Sequence, residues 1–145
     1  FKTKMNKIPT ANEHFIFLGM VKDRKYVQEL MIRSDLSLLP SLYDNASLTI
    51  FENACNHTPM LLIKGSTTAY MVRDNVNGFL AKNNPKKYAR KMYEVVTNKK
   101  LLTEVSQNAF SQIYVNYETI CKQLMQIYVG LIDSKNKIGK KMGKK

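Results

Sequence analysis

The chain has 145 residues, 44% of them hydrophobic, which fits one domain around one modest core. Its formal charge of +12 points to nucleic acid only until it is divided: residues 134–145 hold six lysines and no acid, and residues 1–14 contribute +2. The body over 15–133 carries 14 bases against 10 acids and no basic-aromatic interleaving, which argues against a nucleic-acid binder.

Residues 1–13 are polar and basic, with Pro9 and no clear period, and read as a lead to the domain. The chain opens Phe1-Lys2-Thr3 rather than on Met, so a piece of a longer protein is expected. Phe15 to Gly19 is a continuous apolar run ending in glycine, the pattern of a parallel strand buried on both faces. Asp23 is placed to cap a helix over Arg24 to Arg33, with Tyr26, Val27, Leu30 and Met31 on one face. Asp35 to Leu39 reads as the next strand, and a strand-helix-strand run this short implies a right-handed parallel crossover.

A Ser/Asp/Asn turn then leads into a helix over Leu48 to Asn56, on which Ile50, Phe51, Ala54 and Cys55 can face a core. The first N–H groups of such a helix lack intrahelical partners and sit at the positive end of its dipole, a natural place for phosphate. Asp44 and Glu52 flank this helix start, one in the loop and one about a turn inside the helix. Carboxylates repel phosphate but accept hydrogen bonds from hydroxyls, so a ligand with a central phosphate and hydroxyls at both ends suits the layout.

Pro59 to Ile63 reads as another buried strand, followed by the small polar loop Lys64-Gly65-Ser66-Thr67-Thr68 at its C-terminal end, where open α/β sheets take ligands. Lys64 could approach a phosphate, although a lysine beside a strand end is more often simply solvated. A short helix over Ala69 to Arg73 and the Asn77-Gly78 turn lead to the strand Phe79 to Ala81. Asn84-Pro85 opens a helix to about Thr97, with Tyr88, Met92, Val95 and Val96 inward. Lys99 to about Tyr114 is a helix facing inward with Leu101, Leu102, Val105, Ala109 and Ile113, and Tyr117 to Asp133 is the most apolar one, repeating at Ile120, Leu124, Ile127, Tyr128 and Leu131. The basic tail over 134–145 has little apolar content and two glycines, and is expected to be a mobile, solvated end, a reading preferred to the functional one of weak attraction to anionic lipid.

Cys55 and Cys121 have no C-x-x-C spacing, so neither a zinc site nor a disulfide framework is indicated and a reduced, cytoplasmic compartment is expected. With two histidines and no acidic cluster at ligand spacing, no metal or other cofactor is expected. His57, near the C-terminal end of the central helix, reads as a structural cation at a helix dipole.

Pro40-Ser41, Asp44-x7-Glu52, Ala54-Cys55 leading to Thr58-Pro59, Asn77-Gly78-Phe79-Leu80 and Phe15 to Gly19 form an ordered series that resembles the donor-binding half of a GT-B glycosyltransferase of the retaining family 4. The resemblance spans roughly Asn12 to Asp133. It implies a Rossmann-like three-layer α/β/α domain with a small parallel sheet and C-terminal helices over 14–133. It also implies that the two preceding strand-helix units, their Arg/Lys diphosphate clamp and the acceptor domain are not in this chain.

By position, the resemblance assigns Asp44 to the transferred sugar and Glu52 to the ribose hydroxyls. Backbone N–H groups of Ser47, Leu48 and Thr49 fall to the diphosphate, and the loop Gly19-Met20-Val21 to the edge of the base. The implied activity is retaining transfer of a hexose from a nucleotide diphosphate sugar to a saccharide or lipid-linked acceptor, as in polysaccharide biosynthesis. Asp44 replaces the family's first Glu and shortens its reach by one methylene; Asn45-Ala46-Ser47 replaces a glycine-containing turn, and Tyr70 stands where the family often has Glu. These departures favour an alternative, a degenerate or split module that docks on a partner chain. In the family the last helix braces the other domain, so here its apolar face is expected to be exposed or used in self-association.

Overall fold

The structure, a computed structural model, describes residues 14–45 and 47–142, with 136–142 as backbone alone. The lead over 1–13, Ala46 of the turn and the last residues of the tail, 143–145, lie outside the described residues. The elements in order are α1 (Arg24–Arg33), β1 (Ser37–Leu39), α2 (Leu48–Cys55), β2 (Met60–Ile63), a 3-10 turn (Thr67–Ala69), β3 (Phe79–Ala81), α3 (Pro85–Val96), α4 (Lys99–Gln112) and α5 (Tyr117–Met142). The strands form one parallel sheet in the order β1-β2-β3, with Leu38 opposite Leu61 and Leu62 opposite Leu80.

Pleating sends alternate residues of β2 to opposite faces. Met60 and Leu62 join Ile50 and Ala54 of α2 and Ala109 of α4, with Ile113 just beyond it, in one layer. Leu61 joins Phe79 and Ala81 of β3, Val95 of α3 and Leu102 and Val105 of α4 in the other. With helices against both faces of a parallel sheet, the chain has the expected α/β architecture.

Local chemistry accounts for the helix boundaries. The Asp23 carboxylate accepts from the Lys25 and Tyr26 N–H groups to start α1, and the Asn84 side chain accepts from the Lys87 N–H ahead of α3, with Pro85 in its first turn. α1 has no fully buried residue and is held by polar ties, among them the Thr58 hydroxyl donating to Met31 O at 2.8 Å. The Asn77-Gly78 turn is a packing joint. Asn77 is buried, its Oδ1 accepts from the Arg73 N–H at 2.7 Å, and a Cβ on Gly78 would stand 2.6 Å from Val72 Cγ1.

Three sequence expectations are corrected. Phe15 to Gly19 forms no strand; Ile16 is 89% exposed and Leu18 46%. A parallel strand needs a ladder and cover on both faces, and neither layer of the core extends over this run. The short helix expected over Ala69 to Arg73 is instead a 3-10 turn over Thr67–Ala69, closed by the Ala69 N–H on Ser66 O at 3.1 Å. The basic tail does not depart from helix at Asp133: α5 runs through it to Met142. Lysine is a good helix former, and its propensity offsets the cost of the interior glycines.

Tyr88 reaches from α3 to the central strand, its hydroxyl donating to Leu61 O at 2.8 Å. Burial pushes its pKa from 10.0 up to about 12, with the Leu39 backbone partly offsetting the rise. The fold thus favours the neutral phenol, a contribution that is complete below pH 10.0 and lost as pH rises toward about 12. Chemical denaturation across that window should show stability falling, with a flatter fall in Tyr88→Phe. Gly78→Ala should lower stability by about 1–3 kcal/mol through its collision with Val72, measured as a drop in melting temperature.

Candidate functional site

Two loops leave the C-terminal ends of β1 and β2 and are tied to each other. The Thr67 N–H donates to Leu42 O at 3.1 Å, the Asp44 N–H donates to the Thr67 hydroxyl at 2.9 Å, and that hydroxyl donates to Asp44 O at 3.1 Å. Beneath them the Ser66 hydroxyl donates to Ile63 O at 2.7 Å and lies 2.8 Å from the buried Thr68 hydroxyl. Asp44 is therefore fixed by its backbone. Its exposed carboxylate has no partner among the described residues.

Ser47 is the N-cap of α2 but makes no side-chain cap bond. The Ile50 N–H donates to Ser47 O at 3.1 Å, while the Leu48 and Thr49 N–H groups find no acceptor among the described residues. These are the free donors that a helix start leaves for a ligand or water. They stand just behind Asp44, so donors and a carboxylate share one end of the sheet.

Glu52, half-buried on α2, turns toward α1 and accepts from Arg24 Nη2 at 2.8 Å. Beside that pair the Gln28 amide donates to Asn56 Oδ1 at 3.1 Å. A cleft of about 360 Å³ lies between the two helices, lined by Arg24, Gln28, Met31, Glu52, Cys55 and Asn56 among others. Its lining combines charged, amide and apolar groups. Gly19, Met20 and Val21 enter α1 from the loop ahead of Asp23. Gly19 has φ +67°, which an L side chain adopts only with strain, and Met20 is 85% exposed.

The expected residues thus fall into two neighbouring groups, Asp44 with Ser47, Leu48 and Thr49 at the loop end, and Glu52 facing α1. Lys64 and Tyr70 are exposed at the end of β2 and after the 3-10 turn. His57 has φ 55° and its ring stacks on Phe110 at 4.2 Å, fixing the exit of α2 against α4. Sequence reasoning missed Arg24, seen only as a helix start, because its partner lies 28 residues away. It missed Thr67 as the tie to Asp44, although the Ser66-Thr67-Thr68 run signalled a hydroxyl-rich loop. It also missed that Asn53 is buried, with Nδ2 donating to Thr49 O at 2.7 Å and Oδ1 lacking a donor among the described residues.

Replacing Thr67 with Val removes both hydroxyl bonds to Asp44 and leaves the backbone tie to Leu42. The expected cost is about 1 kcal/mol, with faster hydrogen exchange at the Asp44 amide.

The comparisons agree with this architecture. Residues 7–112 match the glycosyl transferases group 1 family, and no curated protein matches the chain in sequence. Among solved structures it is similar to the C-terminal domain of a glycosyl transferase group 1 family protein (LpcC) from Francisella tularensis, with TM-score 0.67 and 19% identity over 77% of this chain and 59% of that one. Sucrose-phosphate synthase from Thermosynechococcus elongatus gives TM-score 0.74 and 18% identity over 92% of this chain and 34% of that one. HepE from Anabaena, solved in complex with UDP, gives 0.73 and 20% over 89% and 36%. The chain therefore spans 59% of the first of these and about a third of the other two. By its match over 7–112, and with the Rossmann-like α/β fold of GT-B C-terminal domains, the chain belongs to the glycosyl transferases group 1 family.

Proposed function

We propose that this chain is the donor-binding half of a retaining GT-B glycosyltransferase of family 4, which transfers a hexose from a nucleotide diphosphate sugar to a saccharide or lipid-linked acceptor. The observation that carries the reading is that the first α2 N–H groups and the Asp44 carboxylate, which have no partners among the described residues, lie near a polar cleft beside Glu52. The UDP held by HepE, a relative in fold, supports a nucleoside diphosphate as the ligand class.

In this reading the diphosphate lies against the Ser47, Leu48 and Thr49 backbone, where the helix dipole and fixed donors stabilise charge that grows as the sugar leaves. Because these donors are already in place, the developing charge meets them without reorganisation. The reading assigns this work to the chain's own donors and asks for no metal ion. Asp44 accepts from hydroxyls of the sugar, with its backbone held by Thr67 so that the carboxylate returns to one position. Glu52 accepts from the ribose hydroxyls through the oxygen that Arg24 leaves open. The Gly19-Met20-Val21 loop offers backbone groups to the base. The work belongs to the cytoplasmic side, in polysaccharide biosynthesis.

Two observations favour the alternative, a non-catalytic module that docks on a partner chain. Arg24 occupies one oxygen of Glu52, and the last helix leaves its apolar side chains exposed. Calorimetric titration with UDP, GDP and ADP separates the two readings. One nucleotide should bind, and Glu52→Ala should weaken it at least tenfold, or about 1.4 kcal/mol. Loss of the exposed Arg24 pair costs the fold only about 0–1 kcal/mol, so unchanged melting with lost binding identifies a ligand contact. No binding of any nucleotide would favour the docking module.

A further inference from the structure

A glutamate on a helix surface has several staggered rotamers open to it, and only a partner selects one. For Glu52 that partner is Arg24, whose Nη2 donates to Oε1 at 2.8 Å; no other group bonds the carboxylate among the described residues, and Oε2 is left without a donor. The direction of Glu52 therefore depends on a residue of another helix, 28 positions away.

Arg24 reaches Glu52 from a fixed place. It is the first residue of α1, and the Asp23 carboxylate ahead of it accepts from the Lys25 and Tyr26 N–H groups while the Asp23 carbonyl accepts from the Val27 N–H at 3.1 Å. One turn on, the Gln28 amide donates to Asn56 Oδ1 at 3.1 Å, and at the far end of the helix the Thr58 hydroxyl donates to Met31 O at 2.8 Å. These ties hold α1 alongside α2, and both Arg24 and Glu52 line the cleft between them. The Gly19-Met20-Val21 loop runs into the same helix start just ahead of Asp23. Arg24 thus links the end of the loop assigned to the base with the acid assigned to the ribose.

We infer that Arg24 is a positioning residue of the donor site: it holds the Glu52 carboxylate beside the cleft so that the oxygen it does not engage meets the ribose hydroxyls. This rests on the donor-site reading above. The pair is exposed and so weak, which makes the expected effect a few-fold loss of affinity rather than an abolition of binding.

The test is calorimetric titration of the whole chain with UDP, GDP and ADP and with their dideoxy counterparts, which lack both ribose hydroxyls. For the nucleotide that binds, Arg24→Ala should weaken affinity about two- to fivefold. Arg24→Lys should restore most of the loss, since an ammonium can still donate to Oε1. Because Arg24 acts through Glu52, its substitution should cost nothing against the dideoxy nucleotide or in the Glu52→Ala background. Melting should be unchanged in each variant, which separates positioning from a role in folding. A cost that persists with the dideoxy nucleotide or without Glu52 would make Arg24 a direct ligand contact, and tighter binding by Arg24→Ala would make it a competitor for Glu52; either overturns the inference. Binding that needs Glu52 and ignores Arg24 overturns the inference and leaves the donor-site reading standing, whereas no binding of any nucleotide overturns both.

Discussion

Met60, Leu61 and Leu62 are wholly inaccessible, and their strand is laddered on both sides, to β1 and to β3. A parallel strand in this position has its backbone groups bonded to its neighbours and its side chains committed to both layers, so it cannot slide by one residue without exchanging the two cores. That constraint positions the rest. With β2 fixed, the loops after β1 and β2 emerge side by side at one end of the sheet, and α2 must start where the first loop returns to the core. The Leu48 and Thr49 N–H groups, which have no acceptor among the described residues, lie at that end as a consequence of packing.

The tie between the loops converts adjacency into geometry. A loop that carries an acid on a flexible turn would spread its carboxylate over several ångströms. Here the Thr67 hydroxyl both donates to and accepts from the Asp44 backbone, while the carboxylate has no partner among the described residues. The hydroxyls of Ser66, Thr67 and Thr68 thus give the two loops' backbone carbonyls partners, Ser66 on Ile63 O, Thr67 on Asp44 O and Thr68 on Ser41 O.

The elements legible in the sequence are those fixed by local chemistry or by burial. Asp23 and Asn84 announced their helices, the apolar runs at Met60 and Phe79 announced strands, and Asn77-Gly78 announced a turn that proved sterically specific. Phe15 to Gly19 misled because a continuous apolar run signals burial but not which neighbours supply it. The end of α5 misled because lysine and glycine composition reads as solvated chain, while a helix already under way propagates through lysine at little cost. In the candidate site, Asp44 and Glu52 were legible as an acid pair around a helix start. Their partners were not: Thr67 lies 23 residues from Asp44 and Arg24 lies 28 from Glu52, separations that no local pattern encodes.

The Arg24 pair bears directly on whether Glu52 is available. A carboxylate held in a buried ion pair would be lost to a ligand, because breaking such a pair strands a charge at a cost of several kcal/mol. Arg24 is 85% exposed in its side chain and Glu52 32%, so on separation the guanidinium simply returns to water. A pair of this kind is worth about 0–1 kcal/mol. It is therefore weak enough to yield Glu52 to a second partner. It also leaves room for both, since Arg24 takes only Oε1 and its fork can remain beside an anionic ligand. The ion pair then holds the Glu52 side chain turned toward α1, beside the cleft.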